Sequence, residues 1–295
     1  MSPTPSTGNR TSTVLGRRLG GELLRLRDAA GMTQQQAATK LSATATKVVK
    51  MERGWVPMRD PDIRALCAAY GVTDAGIVDQ LCELARLDRE RRKVKGWWTR
   101  ATWSAPLREY IAIEQVATRI RSLQMSVVPG LFQTPDYIRA LFLGGTDRVP
   151  AELEEAVDVR IKRQERLYGD SPLVFHAVVW EAALHQVIGS PETMAHQLAR
   201  LQEVSDLPNV RLQILPFGSG ATGCPATAFT ILSFAPTGSM DVVHADGLST
   251  SFIAENQEDS TAYNDYFQRT SGAALDPASS RELLNEIRKD MMSRA

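Results

Sequence analysis

Glu181 and His185 lie four residues apart, a spacing that places two side chains on one face of a helix. A carboxylate and an imidazole so placed could perform general acid–base chemistry, although a surface ion pair explains the spacing as well and is favoured. The histidines, at positions 176, 185, 196 and 244, include no H-x-x-x-H pair and have no cysteine at ligand spacing, so we expect no metal site. We also expect no cofactor and no enzyme activity.

The glycines Gly218, Gly220 and Gly223 spell the pattern G-x-G-x-x-G. This pattern cradles a phosphate when it follows a strand and opens a helix. Because the segment after it, 227–233, is strand-like, we expect a hairpin turn between two strands rather than a phosphate site.

Three arginines recur at helical spacing in the segment 150–168, and Lys162 lies beside them. Acidic residues on the same segment favour a solvated face in which opposite charges pair. An anion site or a site for an acidic partner is the alternative. The residues concerned are Arg160, Arg163 and Arg166, with Glu154, Glu155 and Asp158 as the expected partners.

The stretch 31–54 has the pattern of two helices joined by a tight turn. Thr33 and Thr44 are typical N-cap residues, and Ala37 and Ala38 are small enough to let two helix axes approach closely. The second helix has a polar, partly basic outer face, and a helix of this width fits the major groove of DNA. The stretch therefore predicts a helix-turn-helix, with a small helical core that does not bind DNA as the alternative.

The same stretch resembles the helix-turn-helix of Xre-type regulators, the lambda-repressor-like group. The similarity rests on the spacing of Thr33-Gln34, Ala38, Leu41, Val48 and the run Met51-Glu52-Arg53-Gly54. It implies phosphate contacts from Gln34 and Lys47, with Arg53 as a further candidate. It also implies that Thr44, Ala45, Thr46, Val49 and Lys50 face the groove, where Lys50 is the one strong donor to guanine. Ser42 departs from the pattern, which often has glycine in the turn.

The 295 residues, 43% of them hydrophobic, suit about two domains. Residues 1–100 hold 18 Lys and Arg against 10 Asp and Glu, a net charge of +8, and the remainder carries −8. A basic head on an acidic body indicates that the head binds a polyanion. We expect reduced core thiols at Cys67, Cys82 and Cys224, and a cytoplasmic, nucleoid-associated protein without a signal peptide or a membrane span.

Periodicity predicts an N-terminal all-α domain of five helices and a C-terminal α+β domain. The helices are expected near 15–30, 34–41, 45–52, 60–70 and 74–94. Strands are expected at 173–179, 210–215 and 226–234, among helices near 135–142, 150–168, 190–204, 259–271 and 277–292. The predicted boundaries are a disordered tail at 1–13, the helix-turn-helix domain at 14–96, a linker at 97–110 and the α+β domain at 111–295.

Segments of the C-terminal region resemble the C-terminal domain of actinobacterial Xre-type regulators described as toxin and antitoxin-like. The similar segments are VVPGLFQTPDYIRALF (127–142), VRIKRQERL (159–167), WEAALHQVIGSPETMAHQLARL (180–201) and NVRLQILPFGSGATG (209–223). This resemblance implies a domain without established chemistry and a small protein partner encoded nearby.

Together these observations predict a sequence-specific, DNA-binding transcriptional regulator that acts as a homodimer on double-stranded DNA. Two half-sites would lie one helical turn, roughly 34 Å, apart. The C-terminal domain would receive a signal from a small protein partner or a small-molecule ligand. The alternatives are an enzyme of unknown reaction tethered to DNA by the head, and a scaffold that does not bind DNA.

Overall fold

Five helices occupy the first part of the chain, as the periodicity predicts. They are α1 (Val14–Ala29), α2 (Gln34–Lys40), α3 (Ala45–Glu52), α4 (Asp60–Ala69) and α5 (Ala75–Lys93). The computed structural model describes residues 12–93, 105–144, 150–220, 227–234, 241–246, 251–254 and 257–294. Residues 1–11 of the predicted tail lie outside the described residues. Thr13, at the end of that predicted tail, is the N-cap of α1.

Local sequence determines where α2 and α3 begin. The backbone N–H of Gln36 donates to Thr33 Oγ1 at 3.2 Å and Gln36 Oε1 accepts from the N–H of Thr33 at 2.8 Å, which completes a capping box. At α3, Thr44 Oγ1 accepts from the N–H of Lys47 at 3.3 Å. Between the helices Ser42 has a φ of 48°, the left-handed conformation that a tight turn requires.

A mixed six-stranded sheet forms the centre of the C-terminal region, in the order β3-β2-β1-β4-β5-β6. The strands β1, β2 and β3 run parallel, whereas β4, β5 and β6 extend the sheet in antiparallel fashion from β1. With the helices around it, this sheet confirms the predicted α+β class. The strands are β1 (Arg119–Gln124), β2 (Val174–Trp180), β3 (Val210–Leu215), β4 (Phe229–Ser233), β5 (Val242–Asp246) and β6 (Ser251–Ala254).

Helices cover both faces of this sheet because side chains alternate along each strand. Ile120 and Ala177 belong to the core that includes residues of α10 and α12, whereas Leu123 and Val178 pack in a second core against Phe267 of α11. The helices are α6 (Ala105–Glu114), α7 (Pro135–Leu143), α8 (Pro150–Gln164), α9 (Glu181–His185), α10 (Pro191–Ser205), α11 (Gln257–Ala273) and α12 (Pro277–Ser293). Of these elements β1, β5, β6, α6 and α9 were not predicted.

The hairpin predicted around the glycines is wrong, because β3 and β4 are not neighbours. Strand β3 pairs in parallel with β2, and β4 pairs in antiparallel fashion with β1, so two strands separate them. A 3₁₀ turn at Phe217–Ser219 follows β3, and Gly220 has a φ of 68°. Gly223 and Cys224 lie outside the described residues. Alternation identifies a strand but not its partner, since every strand has the same period.

The solvated face predicted for α8 is wrong at Arg163, which is 8% exposed. Its Nε and Nη2 donate to Oε1 and Oε2 of Glu114, each at 2.7 Å. Arg166 is half-buried and donates to the carbonyl oxygen of Ala117 at 2.7 Å. Arg163 therefore pairs with a carboxylate of α6 and not with one of the expected partners on α8.

Helix α6 also contacts the N-terminal helices. The backbone N–H of Val14 donates to Glu109 Oε1 at 3.0 Å, and Arg91 of α5 pairs with the same carboxylate. Residues 94–104 lie outside the described residues, and α6 begins at Ala105, inside the segment predicted as a linker. Within the described residues, none of the helices combines the length and the apolar composition that crossing a bilayer needs.

Candidate nucleic-acid interface

Helix α3 has one buried side and one open side. Val48 and Met51 are 0% and 1% exposed and pack into the core of the N-terminal helices. Thr46, Lys50 and Arg53 are exposed. Since residues three and four apart are neighbours on a helix, these three follow one another along a single side. The structure therefore presents the polar side of α3 to the surroundings.

Lys50 is the most available donor on this open side. It is exposed, and its ammonium group makes no ion pair or side-chain hydrogen bond with any residue in the described ranges. The neighbouring Arg53 places its guanidinium carbon 5.0 Å from the centre of the Trp55 ring. This cation–π contact orients Arg53 while leaving the residue exposed.

Lys47, expected to contact phosphate, already has an acidic partner. Its Nζ lies 3.0 Å from Asp62 Oδ2 in the first turn of α4, and its side chain is 39% exposed. A half-exposed pair of this kind contributes little to stability. Lys47 can therefore exchange Asp62 for a phosphate at small cost, and its role as a phosphate contact stays a prediction.

Gln34, the other expected phosphate contact, is half-buried and donates from Nε2 to Glu52 Oε2 at 2.7 Å. Glu52 is 9% exposed and also accepts from Arg27 Nε at 2.6 Å. Arg27 in turn donates to the carbonyl oxygen of Met32 at 2.7 Å. One buried carboxylate thus links α1, α2 and α3. The hydrogen bond that Arg27 donates to Glu52 is the main cause of the raised pKa of Arg27. One N–H of the Gln34 amide remains for a phosphate.

The linking role of Glu52 and Arg27 was not predicted from the sequence. The available signal was Glu52 in the Met51-Glu52-Arg53-Gly54 run, because a carboxylate flanked by core positions of a short helix needs a buried partner.

Three further predicted groove residues occupy the first turns of α3. Thr44 is exposed and serves as the N-cap. Ala45 is partly buried and packs against the core of the N-terminal helices, so part of its surface holds α3 in place. Val49 is also partly buried. Thr44 and Thr46 are consequently more open than Ala45 and Val49.

The position of α3 depends on a close backbone approach to α1. A Cβ atom added to Gly20 would lie 2.3 Å from the carbonyl oxygen of Glu52, and one added to Gly54 would lie 2.4 Å from the backbone nitrogen of Arg17. Gly54 also has a φ of 66°, as expected for a residue that ends a helix. The requirement for Gly20 was not recognised in the sequence, because it arises from contact between distant segments.

Two further exposed basic side chains belong to the segments that flank α3 in sequence. Lys40 lies at the end of α2, and Arg59 precedes α4. Both are exposed, as are Lys50 and Arg53. Exposed basic side chains raise the positive potential of a domain and attract a polyanion at long range.

The residues considered for catalysis are placed differently. His185 Nε2 lies 3.4 Å from Glu181 Oε1, and the backbone N–H of Phe217 donates to Glu181 Oε2 at 2.7 Å. His185 is exposed, as a surface pair would be.

In the described residues no group of three or more His, Cys, Asp and Glu side chains could hold a metal ion. Cys67 and Cys82 are free and buried, and burial raises the pKa of Cys67 to about 11.

Comparison with known proteins finds two matching families. Residues 18–77 match a family described as a helix-turn-helix domain. Residues 107–286 match a family described as a domain of unknown function, DUF5753. No match was found among curated proteins or among solved structures.

Proposed function

The chain belongs to the family of the domain of unknown function DUF5753, and because a helix-turn-helix domain precedes that domain, we propose that the protein is a transcription regulator that binds specific DNA sequences. A helix-turn-helix domain supports DNA binding and a role in transcription. The operator specificity, the dimer and the response to a signal are parts of the proposal.

The observation that carries the proposal is the open, basic side of α3. An α-helix fits the major groove, and a recognition helix contacts base edges with the residues of its first turns. Lys50 is exposed and unpaired among the described residues, so it can donate to guanine without breaking an internal bond. Thr44 and Thr46 can approach the bases beside it, and the partly exposed methyl groups of Ala45 and Val49 can contact thymine.

Phosphate contacts are proposed for Gln34, Lys47 and Arg53. The hydrogen bond to Glu52 supports this assignment for Gln34, because it fixes the amide and leaves one N–H for a phosphate. Lys47 can release its partly exposed partner Asp62 for a phosphate at small cost. Contacts of this kind set the register of a protein on the duplex without reading sequence.

Further features follow the resemblance to Xre-type regulators. We propose a homodimer that binds two half-sites about 34 Å apart, since a single small head makes few base contacts. We also propose a cytoplasmic, nucleoid-associated protein of the toxin and antitoxin-like group. Its C-terminal domain would receive a signal from a small protein partner or a small molecule.

The C-terminal domain is proposed to act by binding rather than by catalysis. Glu181 and His185 support this, because they form a surface pair and do not line the cavity of about 390 Å³ that lies between the sheet and helices α6 and α8. In that cavity the carboxylate of Glu114 is engaged by Arg163 through both oxygens.

The test begins with selection of bound sequences from a random DNA library by the full-length protein. Affinity for the selected site and for scrambled DNA is then measured by fluorescence anisotropy at several salt concentrations. Lys50→Ala should lower affinity for the selected site by about 1–3 kcal/mol while affecting scrambled DNA much less. Lys40→Ala removes an equally exposed lysine outside α3 and should weaken both DNAs alike.

If Lys50→Ala lowered the affinity for the selected site and for scrambled DNA equally, Lys50 would not be a base-reading residue. Absence of any salt-dependent binding by the wild-type protein would overturn the regulator proposal itself.

A further inference from the structure

Another cavity, of about 270 Å³, opens at the edge of the sheet where the parallel strands β1, β2 and β3 begin. We call it the strand-end cavity. The first residues of these strands line it, together with Gln268 of α11. None of its described lining residues is acidic, and four carry a guanidinium or an imidazole: Arg119, Arg121, His176 and Arg211. A lining of this kind suits an anion smaller than a drug-sized ligand.

The register of the sheet places three of these side chains in one row. Arg121 of β1 pairs with His176 of β2, and His176 pairs with Arg211 of β3. The row lies on the sheet face that α11 covers, where the ring of His176 meets the ring of Phe267 edge-on at a centroid distance of 5.0 Å. Arg119, two residues before Arg121, lies on the same face. The fold therefore gathers basic groups from three separate segments.

Two of the three arginines bring a positive charge that is not balanced. Arg121 Nη2 donates to Asp241 Oδ2 at 2.6 Å, which offsets its charge. Arg119 and Arg211 are exposed, and neither forms an ion pair or a side-chain hydrogen bond with a residue in the described ranges. Because β2 lies between their strands, their Cα atoms are roughly 12 Å apart. Two extended arginine side chains can therefore contact one anion from opposite sides.

His176, between these arginines, provides a hydrogen-bond acceptor. Gln213 Nε2 donates to the carbonyl oxygens of Leu275 at 2.8 Å and Ser271 at 3.3 Å, so Gln213 Oε1 accepts from His176 Nε2 at 2.7 Å. Burial is the largest influence that lowers the pKa of His176, and two neighbouring arginines add to it, so the ring is neutral at neutral pH.

A neutral imidazole that donates from Nε2 has a lone pair on Nδ1. Nδ1 of His176 accepts no hydrogen bond within the described part of the chain, and the atom is not fully buried. The lining therefore contains one acceptor that a ligand can use.

These groups select both the charge and the hydrogen bonding of a ligand. Two guanidinium groups match an oxyanion with two negative charges, to which arginine donates two hydrogen bonds at once. The imidazole acceptor requires an O–H group on the ligand. Hydrogen phosphate has both features. Sulfate has the two charges but no proton, and a carboxylate has one charge and no proton at neutral pH.

We propose that the strand-end cavity binds a doubly charged phosphate that has an O–H group, with its charged oxygens at Arg119 and Arg211 and its O–H directed at His176 Nδ1. Free hydrogen phosphate and a small phosphate ester with a hydroxyl group share this chemistry. A role of the phosphate as a signal rests on the proposed function, whereas its binding does not.

The phosphates of bound DNA are not the expected source. The ring of Tyr110 on α6 lies 4.5 Å from that of His244, which pairs with Thr230, and Thr230 pairs with Ser122 of β1. Successive residues of a strand face opposite sides, so Ser122 and Arg121 belong to different faces of the sheet. The strand-end cavity therefore lies on the sheet face opposite α6, the helix that contacts the N-terminal helices.

The test is calorimetric titration of the full-length protein without DNA at about pH 7.5, where a histidine with a lowered pKa is neutral. We expect inorganic phosphate to bind with a dissociation constant of about 1 mM and sulfate to bind at least about tenfold more weakly. Glycerol 3-phosphate distinguishes the two sources of phosphate. Because the cavity is larger than a bare ion, we expect the ester to bind more tightly, and weaker binding would identify the free ion as the ligand.

Arg119→Gln and Arg211→Gln should each weaken phosphate at least about tenfold. His176→Phe keeps a ring beside Phe267 and should remove the preference for phosphate over sulfate, which a merely structural role of His176 would not do. Arg269→Gln is the control, since Arg269 is exposed on α11 but does not line the cavity, and it should bind phosphate as the wild type does. Circular dichroism confirms that each variant folds, and the two exposed arginines test the site even if His176→Phe does not.

Absence of phosphate binding to the folded wild-type protein would overturn the proposal. So would equal affinities for phosphate and sulfate, or phosphate binding that survives both arginine substitutions. Affinity for the selected DNA is measured on the same preparations. If the two arginine variants lost DNA affinity, the cavity would contact the DNA backbone and the proposal would be wrong. A wild-type protein that binds phosphate but not DNA would overturn the regulator proposal alone.

Discussion

The open side of α3 and the cavity beside α6 use basic side chains in opposite ways. Lys50 on α3 is exposed and has no acidic partner among the described residues, whereas Arg163 beside α6 is 8% exposed and paired bidentately with Glu114. An unpaired cation in water can be transferred to a phosphate or a base at small cost. A buried pair cannot, because separating it leaves a charge without solvent. Charge alone therefore does not identify a binding surface.

The largest effect should come from breaking the buried pair. Glu114→Gln leaves the Arg163 guanidinium buried without its counter-charge, and we expect a loss of about 3–5 kcal/mol in the free energy of unfolding, measured by urea denaturation. Glu154→Gln is the matched control, since Glu154 pairs with Arg139 at the exposed surface at 2.9 Å and should change stability little. Similar losses in the two variants would show that burial does not distinguish the pairs.

A second large effect should come from Gly20. An alanine there would place its Cβ 2.3 Å from the carbonyl oxygen of Glu52, so α1 and α3 must separate, at a cost of about 3 kcal/mol. Thermal unfolding and DNA affinity should both report the change. The next residue provides the control: nothing lies within 4 Å of a Cβ at Gly21, and Gly21→Ala should stabilise the helix by about 0.5–1 kcal/mol. If Gly20→Ala were as stable as Gly21→Ala, the close approach would be disproved.

A moderate effect should come from releasing Lys47. Asp62→Asn removes the carboxylate that lies 3.0 Å from Lys47 Nζ and 3.8 Å from Arg59 Nε, so the ammonium of Lys47, its nearer partner, becomes free for a phosphate. DNA affinity should rise several-fold and the slope of log affinity against log salt should steepen by up to about 0.9. Asp79→Asn, which disrupts an exposed pair with Arg64, controls for the general loss of negative charge. An equal gain in both variants would argue against a phosphate contact by Lys47.

The smallest effect concerns the turn before α3. Ser42 has a φ of 48°, which glycine adopts without strain, so Ser42→Gly should raise the free energy of unfolding by up to about 1 kcal/mol. Ala43→Gly provides the comparison, since Ala43 has no positive φ and glycine there should destabilise the protein. If the denaturant midpoints of Ser42→Gly and Ala43→Gly moved in the same direction, the strain assigned to Ser42 would be contradicted.

The five N-terminal helices could be predicted because their signals are local. Thr33 and Thr44 cap their helices through hydrogen bonds to residues three positions away, and Gly54 has the positive φ expected after α3. The strand β1 could not be predicted as easily. Four of the six residues of its sequence, RIRSLQ, are polar, and the alternation with apolar residues breaks at Ser122. Arg121 donates to Asp241 and Asn264, which are far away in sequence.

The amino-acid pattern alone was enough to predict ten of the twelve α-helices in the described residues, where α2 and α3 begin and which side of α3 is polar, because caps, turns and periodicity act over a few residues. Three features become visible only in the folded chain: Glu52 joins three helices, β3 lies apart from β4, and Arg163 is buried against Glu114. These features depend on pairing between segments distant in sequence. Side chains of the same type suit several partners, and the fold selects one of them by bringing it within hydrogen-bonding distance.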